Sequence, residues 1–570
     1  MTLIAAHPLP ARRTGVSKLR WPAGIFAAAL VCSLVLYAGL WSGSGDRAPG
    51  LPGRMGDQLQ SMWFLKWIAW AIVHGHNPFV THVANFPAGV NLAWNTSTPT
   101  LAVLAAPITL TAGAATSYAL LMTLAPALTA TTSFLWLRRH VTTPWAAIPG
   151  SFLIAFGPFA IGHMQGHLHL AFTGLLPVML LLFEDLLWRR PRAQSRTALY
   201  LGLVTAAQMG ISEELVVITA LGVLIALIAY LAVDRRSVIN SVRTAHRPFG
   251  VAMAIALVFA APLLIAQLGS HGLVPLNNNF WRANTTDYLR SGGNQLFPIW
   301  HLGHLHVGRA ETGVFAGYAM TAVVAIGVIA SWRDRLVRAA AITIAVLVLM
   351  TYGDTKVAGV PLPWWFLGKL PGLKAVLPLR IAFATWLAVA WLLSRWIDQL
   401  GRTAHSASRR HRNAAAVALL AIVAALVTLL PARVATKRLP DLPRYLAAHN
   451  LPAGSLVLLL PMSTPHDNTA MFIQQAADFR FVMPGGYFYR ANGSLLSEPT
   501  PLTLVAEQRA KLGGDILVRA RTELATQPYR AIVVLEDQPT TPELMQIAIA
   551  LTGRGPDRVA GGVAVWLLRR

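Results

Sequence analysis

Charge is scarce in this 570-residue chain. Only 12% of its residues are charged, against about a quarter in a typical soluble protein. At this length the deficit excludes an ordinary cytosolic enzyme, a disordered chain and a coiled coil. Acids are rarer than bases, 23 Asp+Glu against 47 Lys+Arg, and only 7 of those bases are lysine. Cysteine occurs once, at Cys32, which excludes a disulfide framework and a Cys-based metal site. Cys32 lies in an apolar run and reads as a packing residue. What the chain has in abundance is apolar: 55% of residues are hydrophobic. The net charge of +24 fits either a nucleic-acid partner or a membrane protein with basic cytoplasmic loops. The positions of the charges decide.

A membrane span takes about 20 apolar residues. The first such run, Trp21–Trp41, follows Arg12, Arg13, Lys18 and Arg20. It is longer than a signal-peptide core and lacks a small-residue cleavage site. Further runs fall at 116–137, 144–161, 169–188, 197–210, 214–233, 249–269, 312–331, 338–352, 376–397 and 414–431. The shorter run 99–112, with Pro99 and Pro107, reads as a re-entrant or interfacial segment. Eleven spans result, or twelve if that run crosses. With eleven, the N-terminus shares one side with every other basic cluster. Those clusters are Arg138-Arg139, Arg189-Arg190 with Arg192 and Arg196, Arg235-Arg236 with Arg243 and Arg247, Arg333 with Arg335 and Arg338, and Arg402 with Arg409, Arg410 and Arg412. The positive-inside rule makes that side cytoplasmic. The expected fold is therefore an α-helical polytopic membrane protein. Its arginine-over-lysine bias and alanine richness suggest a bacterial cytoplasmic membrane. No compact basic soluble domain remains, so no nucleic-acid partner is expected.

The expected domains are a membrane domain over 1–431, with a large first outer loop at 42–98, and an extracytoplasmic tail over 432–570. In the tail, Ser455–Leu460, Ala531–Leu535 and Gly562–Leu568 read as buried strands. Thr469–Asp478, Leu502–Leu512 and Pro542–Leu551 read as helices, so the tail is expected to be a small α/β domain.

The polar residues on the outer side are the informative ones. In the first loop Gly56-Asp57 precedes Met62, Trp63, Trp67 and Trp70 at helical spacing. The spacing predicts an amphipathic helix lying flat on the outer leaflet, with Asp57 at its start as an N-cap or a functional carboxylate. Asn77-Pro78-Phe79 and Pro87-Ala88-Gly89-Val90-Asn91 follow as turn material. Later outer turns carry His163, His167 and His169 around Gly166, then Gln208 with Glu213-Glu214, then Leu377-Pro378-Leu379-Arg380. This layout resembles the GT-C superfamily of polytopic glycosyltransferases, in a bacterial branch marked by those Asn-Pro-Phe, Gly-His-Leu-His and Leu-Pro-Leu-Arg stretches. The resemblance implies a donor sugar on a polyprenyl phosphate, and it implies that Asp57 is the catalytic base.

The chemistry agrees with the resemblance. A sugar hydroxyl ionises far above neutral pH, so attack on an anomeric carbon benefits from a carboxylate that takes its proton. The departing lipid phosphate needs a cationic cradle. Arg380 offers a fork of donors for it, with Lys374 and Lys369 nearby, although an arginine here can also snorkel to the interface. Glu213 and Glu214 are either acceptor-binding groups, or one of them an alternative base, or else helix-start carboxylates behind the N-cap Ser212. His163, His167 and His169 include spacings of two and four that can ligate zinc, but no fourth ligand or acidic partner stands in that turn. Contact with sugar or phosphate is expected, and no metal or other cofactor. His301, His304 and His306 get the same reading. Glu184 and Asp185 are expected to pair with Arg189 and Arg190. The sequons at Asn95, Asn284 and Asn492 are taken as chance. The leading function is a glycosyltransferase that moves a sugar from a polyprenyl-phosphate donor to a glycan or lipid acceptor, among membrane lipids. A transporter or flippase, or a non-catalytic envelope-assembly protein, are the alternatives.

Overall fold

A computed structural model places these segments in space. It describes residues 15–41, 51–52, 56–189, 193–269, 281–291, 293–297, 311, 313–406, 408–448, 450–489, 499–536 and 540–568. Arg12, Arg13, Arg190, Arg192, His301, His304, His306 and Asn492 lie outside them.

Most of each run expected to span is helical. The helices are α1 (Gly15–Leu36), α2 (Asp57–Val73), α3 (Pro99–Ala112), α4 (Ala114–Leu137), α5 (Ile148–Phe156), α6 (Pro158–His163), α7 (Leu168–Ala171), α8 (Leu175–Glu184), α9 (Gln194–Met209), α10 (Glu213–Val233), α11 (Arg235–Leu268), α12 (Gly317–Ala330), α13 (Arg335–Thr351), α14 (Ala382–Ser406) and α15 (Arg409–Thr428). Among the described residues, seven helical segments are long and apolar enough to cross a membrane, and Arg20–Leu36, Pro99–Ala112 and Gly317–Ala330 are apolar but shorter. This is the pattern of a multi-pass membrane protein. Gly157-Pro158 divides the 144–161 run into α5 and α6, because proline has no N–H to continue the ladder.

The 57–73 helix departs from expectation. It does not present one bare apolar face to a lipid surface. Leu59, Met62, Trp63, Phe64, Leu65, Trp67 and Ile68 are all buried, and α2 packs against α3, α4 and a helix of the C-terminal region, α16 (Thr469–Ala476). The tryptophans mark one face, but Phe64, Leu65 and Ile68 make the other face apolar too, and a helix apolar all round is a core helix. Trp63 and Trp67 stack with ring centroids 5.8 Å apart, and Phe479 meets both edge-on. The Trp63 indole N–H donates to Gln474 Oε1 at 2.9 Å.

The C-terminal region carries β1 (Ser455–Leu460), β2 (Phe481–Val482), β3 (Tyr529–Leu535), β4 (Arg558–Ala560) and β5 (Val563–Leu567), with α17 (Pro501–Ala506), α18 (Gly514–Thr526) and α19 (Thr541–Thr552). The sheet order is β4-β5-β3-β1-β2, with β2, β1 and β3 parallel and β5 and β4 antiparallel. Strand alternation divides its side chains between two cores. Val457, Leu459, Ala531 and Val533 join the core of the helical bundle, whereas Leu458, Ile532, Val534 and Trp566 form a second core with α17, α18 and α19. The helix expected over 502–512 stops at Ala506, and α18 was not foreseen. Its charged residues Asp515, Arg519, Arg521 and Glu523 hide the apolar period.

At the other end of the bundle, Glu184 and Asp185 do not pair with Arg189 among the described residues, and Arg190 lies outside them. Asp185 meets Arg139 at 2.6 Å, and Glu184 accepts from the Trp136 indole at 2.8 Å and lies 3.1 Å from His140. The neighbouring helix α4 and the turn after it present these groups laterally.

Candidate active site

The site assembles from six separated stretches of chain. Asp57 opens α2 at its first position, behind Gly56. The glycine is required by proximity: a Cβ there would stand 2.2 Å from the Pro465 carbonyl oxygen, in the loop after β1. Asn468 in the same loop donates to the Gly56 carbonyl at 2.9 Å. The C-terminal region therefore holds the residue before Asp57 directly.

The 163–169 turn faces Asp57 and is pinned from three sides. Tyr37 donates to the Met164 carbonyl at 3.0 Å, Tyr118 to Gly166 at 2.9 Å, and Gln58 to Gln165 at 2.7 Å. Gly166 adopts φ 137°, a conformation open to glycine. So held, His167 presents Nε2 2.9 Å from Asp57 Oδ2, while its Nδ1 lies 3.1 Å from Nδ1 of the buried His163. The His169 ring lies tilted beside that of His167, centroids 6.1 Å apart.

The C-terminal region supplies a third wall. Its segment 483–489 threads along the first loop. Met483 N–H donates to Val83 O, Phe86 N–H to Met483 O, and Asn85 N–H to Gly485 O. Gln60 donates to the Tyr487 carbonyl. Asn95 clamps Tyr489, accepting from its N–H at 2.5 Å and donating to its carbonyl at 3.0 Å. The Tyr487 hydroxyl, carried by this strap, acts on the Asp57 carboxyl and lowers it. Asn95 is thereby committed inside the fold.

Burial by itself would raise the Asp57 carboxyl. The hydrogen bond and charge of His167, the charge of His169 and the Tyr487 hydroxyl outweigh it and hold Asp57 below the ordinary carboxylate value. Burial and the Asp57 charge push the Tyr487 phenol far above its ordinary value, so it stays a proton donor.

Arg380 lies on a 3-10 turn that Pro378 starts ahead of α14. It does not snorkel. Its Nη1 donates to Glu214 at 2.6 Å, and its Nε and Nη2 donate to Glu311 at 3.2 and 2.6 Å. Glu214 also accepts from the Leu377 N–H at 2.8 Å. Glu213 turns away and accepts from Gln267 at 2.8 Å. Ser212 caps α10, accepting from the Leu215 N–H at 3.4 Å, as expected of a helix start. Lys374 is exposed and Lys369 sits 3.1 Å over the Trp365 ring, so neither joins the buried cluster. Gln208 is fully buried, and among the described residues neither of its amide atoms has a partner.

Glu311 links the two halves. Ligand atoms of His163, His167 and Glu311 lie within 4.8 Å of one another. A continuous polar chain thus runs Asp57, His167, His163, Glu311, Arg380, Glu214. These three groups are of the types that ligate zinc, and Glu311 is also engaged by Arg380. Sequence reasoning missed Glu311, Tyr487 and Gln58. Signals existed: Glu311 is one of few acids at the outer start of an expected span, and Tyr487 sits in the aromatic run Gly486-Tyr487-Phe488-Tyr489.

No protein-family model and no curated protein matches the sequence. Solved structures do resemble the fold. The oligosaccharyltransferase AglB from Archaeoglobus fulgidus, in complex with an inhibitory peptide and a dolichol-phosphate, aligns with a TM-score of 0.51 at 14% identity, covering 94% of this chain and 72% of that one. The arabinofuranosyltransferase AftD from Mycobacteria aligns with a TM-score of 0.57 at 14% identity, covering 96% of this chain. This chain spans only 40% of AftD. The shared feature at such identity is the fold.

Proposed function

We propose that the chain is a membrane glycosyltransferase that moves a sugar from a polyprenyl-phosphate donor to a glycan or lipid acceptor at the outer face of a bacterial cytoplasmic membrane. The observation that carries this reading is the polar chain itself. An ionised, half-buried carboxylate stands at one end of it and a buried guanidinium at the other, joined by His167, His163 and Glu311. Asp57 takes the proton of the acceptor hydroxyl as its oxygen attacks the anomeric carbon. The bond from that carbon to the phosphate oxygen breaks, and Arg380 stabilises the charge left on the phosphate. Glu214 positions Arg380. His169 and Gln208 line the sugar and acceptor space. The outer-face assignment rests on the basic clusters, which gather at the opposite end of the bundle from Asp57 and Arg380.

The test uses proteoliposomes given a panel of polyprenyl-phosphate sugars, labelled in the sugar, with envelope glycan and lipid extracts as acceptors. Wild type is expected to transfer label. Asp57→Asn is expected to lose about 10²–10⁴-fold of the rate. Equal transfer by both removes Asp57 as the base, and no transfer from any donor removes the assignment.

A further inference from the structure

The donor fork of Arg380 is already filled. Glu311 accepts from both Nε and Nη2, the two parallel N–H groups with which arginine grips a carboxylate or a phosphate. Its side chain is 6% exposed. If Arg380 receives the donor phosphate, one carboxylate must leave. Glu214 is tied down by the Leu377 N–H as well. Glu311 has somewhere to go, because its carboxylate lies within 4.8 Å of ring nitrogens of His163 and His167.

We infer that Glu311 is a specificity-determining residue: its carboxylate stands in for the donor phosphate on Arg380 and gives way, onto the His163–His167 pair, to a singly charged phosphodiester in preference to a lipid diphosphate. This rests on the proposed role of Arg380. With Glu311 moved onto the His163–His167 pair, a phosphodiester restores one negative charge to the fork and adds only that one charge to the site. A diphosphate brings at least one further negative charge close to Glu214 and Asp57, and like charges at such range repel strongly in a buried site. In the reaction the acceptor O–H proton passes to Asp57, the new C–O bond forms, and the anomeric C–O bond to phosphorus breaks. The bonding pair leaves with the phosphate, now a monoester. Return of Glu311 to the fork then favours its release.

The test is binding to the full-length protein in nanodiscs, read by competition between two sugar-free probes: a polyprenyl methyl phosphate, which is a diester, and the polyprenyl diphosphate of equal chain length. Wild type is expected to prefer the diester by about tenfold or more, with or without added magnesium, manganese or zinc. Glu311→Gln is expected to bind the diester severalfold more tightly and to discriminate less. Equal or tighter binding of the diphosphate, with or without metal, overturns the inference, and this arm needs no variant that could misfold. A correctly folded Glu311→Gln with unchanged diester affinity overturns it too. Arg380→Gln is the control for the underlying reading. If that variant binds the diester as wild type does, the role of Arg380 fails, whatever Glu311 does.

Discussion

The two ends of the helical bundle use charge in opposite ways. At one end Arg139 meets Asp185, Arg395 meets Asp334 and Arg335 meets Asp234, and Asp398 accepts from the Thr142 and Thr143 hydroxyls. The arginines there are many and mostly part-exposed. At the other end the charges are few, mostly buried and linked: Glu214, Glu311 and Arg380, with the half-buried Asp57 and three histidines. The helix α14 connects them, and the 18 residues from Arg380 to Asp398 span roughly 27 Å at 1.5 Å per residue, about the depth of a bilayer core. Exposed charge of one sign orients a chain in the membrane at little energetic cost, whereas buried charge of mixed sign is expensive and is retained where it does chemistry.

The contrast can be broken by substitution. The largest effect is expected for Asp57→Asn, with transfer down about 10²–10⁴-fold and the unfolding midpoint in detergent nearly unchanged. A large loss of stability instead would make Asp57 a structural group. Next comes Arg380→Met, which strands two buried carboxylates and is expected to cost about 3–5 kcal/mol in denaturant titration. The equivalent Arg335→Met, whose side chain is 64% exposed in its pair with Asp234, is expected to cost under about 1 kcal/mol. Similar costs for the two would erase the distinction between the ends. Gly56→Ala forces a methyl against the Pro465 carbonyl and is expected to destabilise by roughly 1–3 kcal/mol, lowering transfer by displacing Asp57.

The smallest effect concerns pH. The folded-state carboxyl of Asp57 is held below its ordinary value. Its contribution to stability is therefore present above the ordinary carboxylate value and is lost as pH falls through the lower, folded one. Transfer should accordingly persist into acid until Asp57 protonates. Tyr487→Phe keeps the ring and removes one donor, so the acid limb of the pH–rate profile is expected to move upward. An unmoved limb would show that the Tyr487 hydroxyl does not act on Asp57.

Much of the fold was legible because spanning helices announce themselves in long apolar runs, and the strand Ser455–Leu460 in a short one. The 57–73 helix was misread because its tryptophans drew attention to one face while Phe64, Leu65 and Ile68 buried the other. Within the site, Asp57, His163, His167, Glu214 and Arg380 could each be singled out as polar groups in apolar surroundings. Glu213 and Lys374 looked equally suitable, and only their surroundings separate them: Glu213 faces Gln267, and Lys374 is exposed. Glu311 and Tyr487 stand 69 positions before Arg380 and 430 after Asp57, and no local pattern ties them to either.

The sequence by itself determined that this is a membrane chain and where its apolar helices run. Those properties follow from apolar length, which is summed along the chain. Tertiary structure alone decided which polar groups meet. A hydrogen bond or ion pair depends on separations of about 3 Å, and packing between distant segments sets them: the β1–α16 loop against Gly56, the 483–489 strap against Asn95, and the 3-10 turn of Arg380 between Glu214 and Glu311.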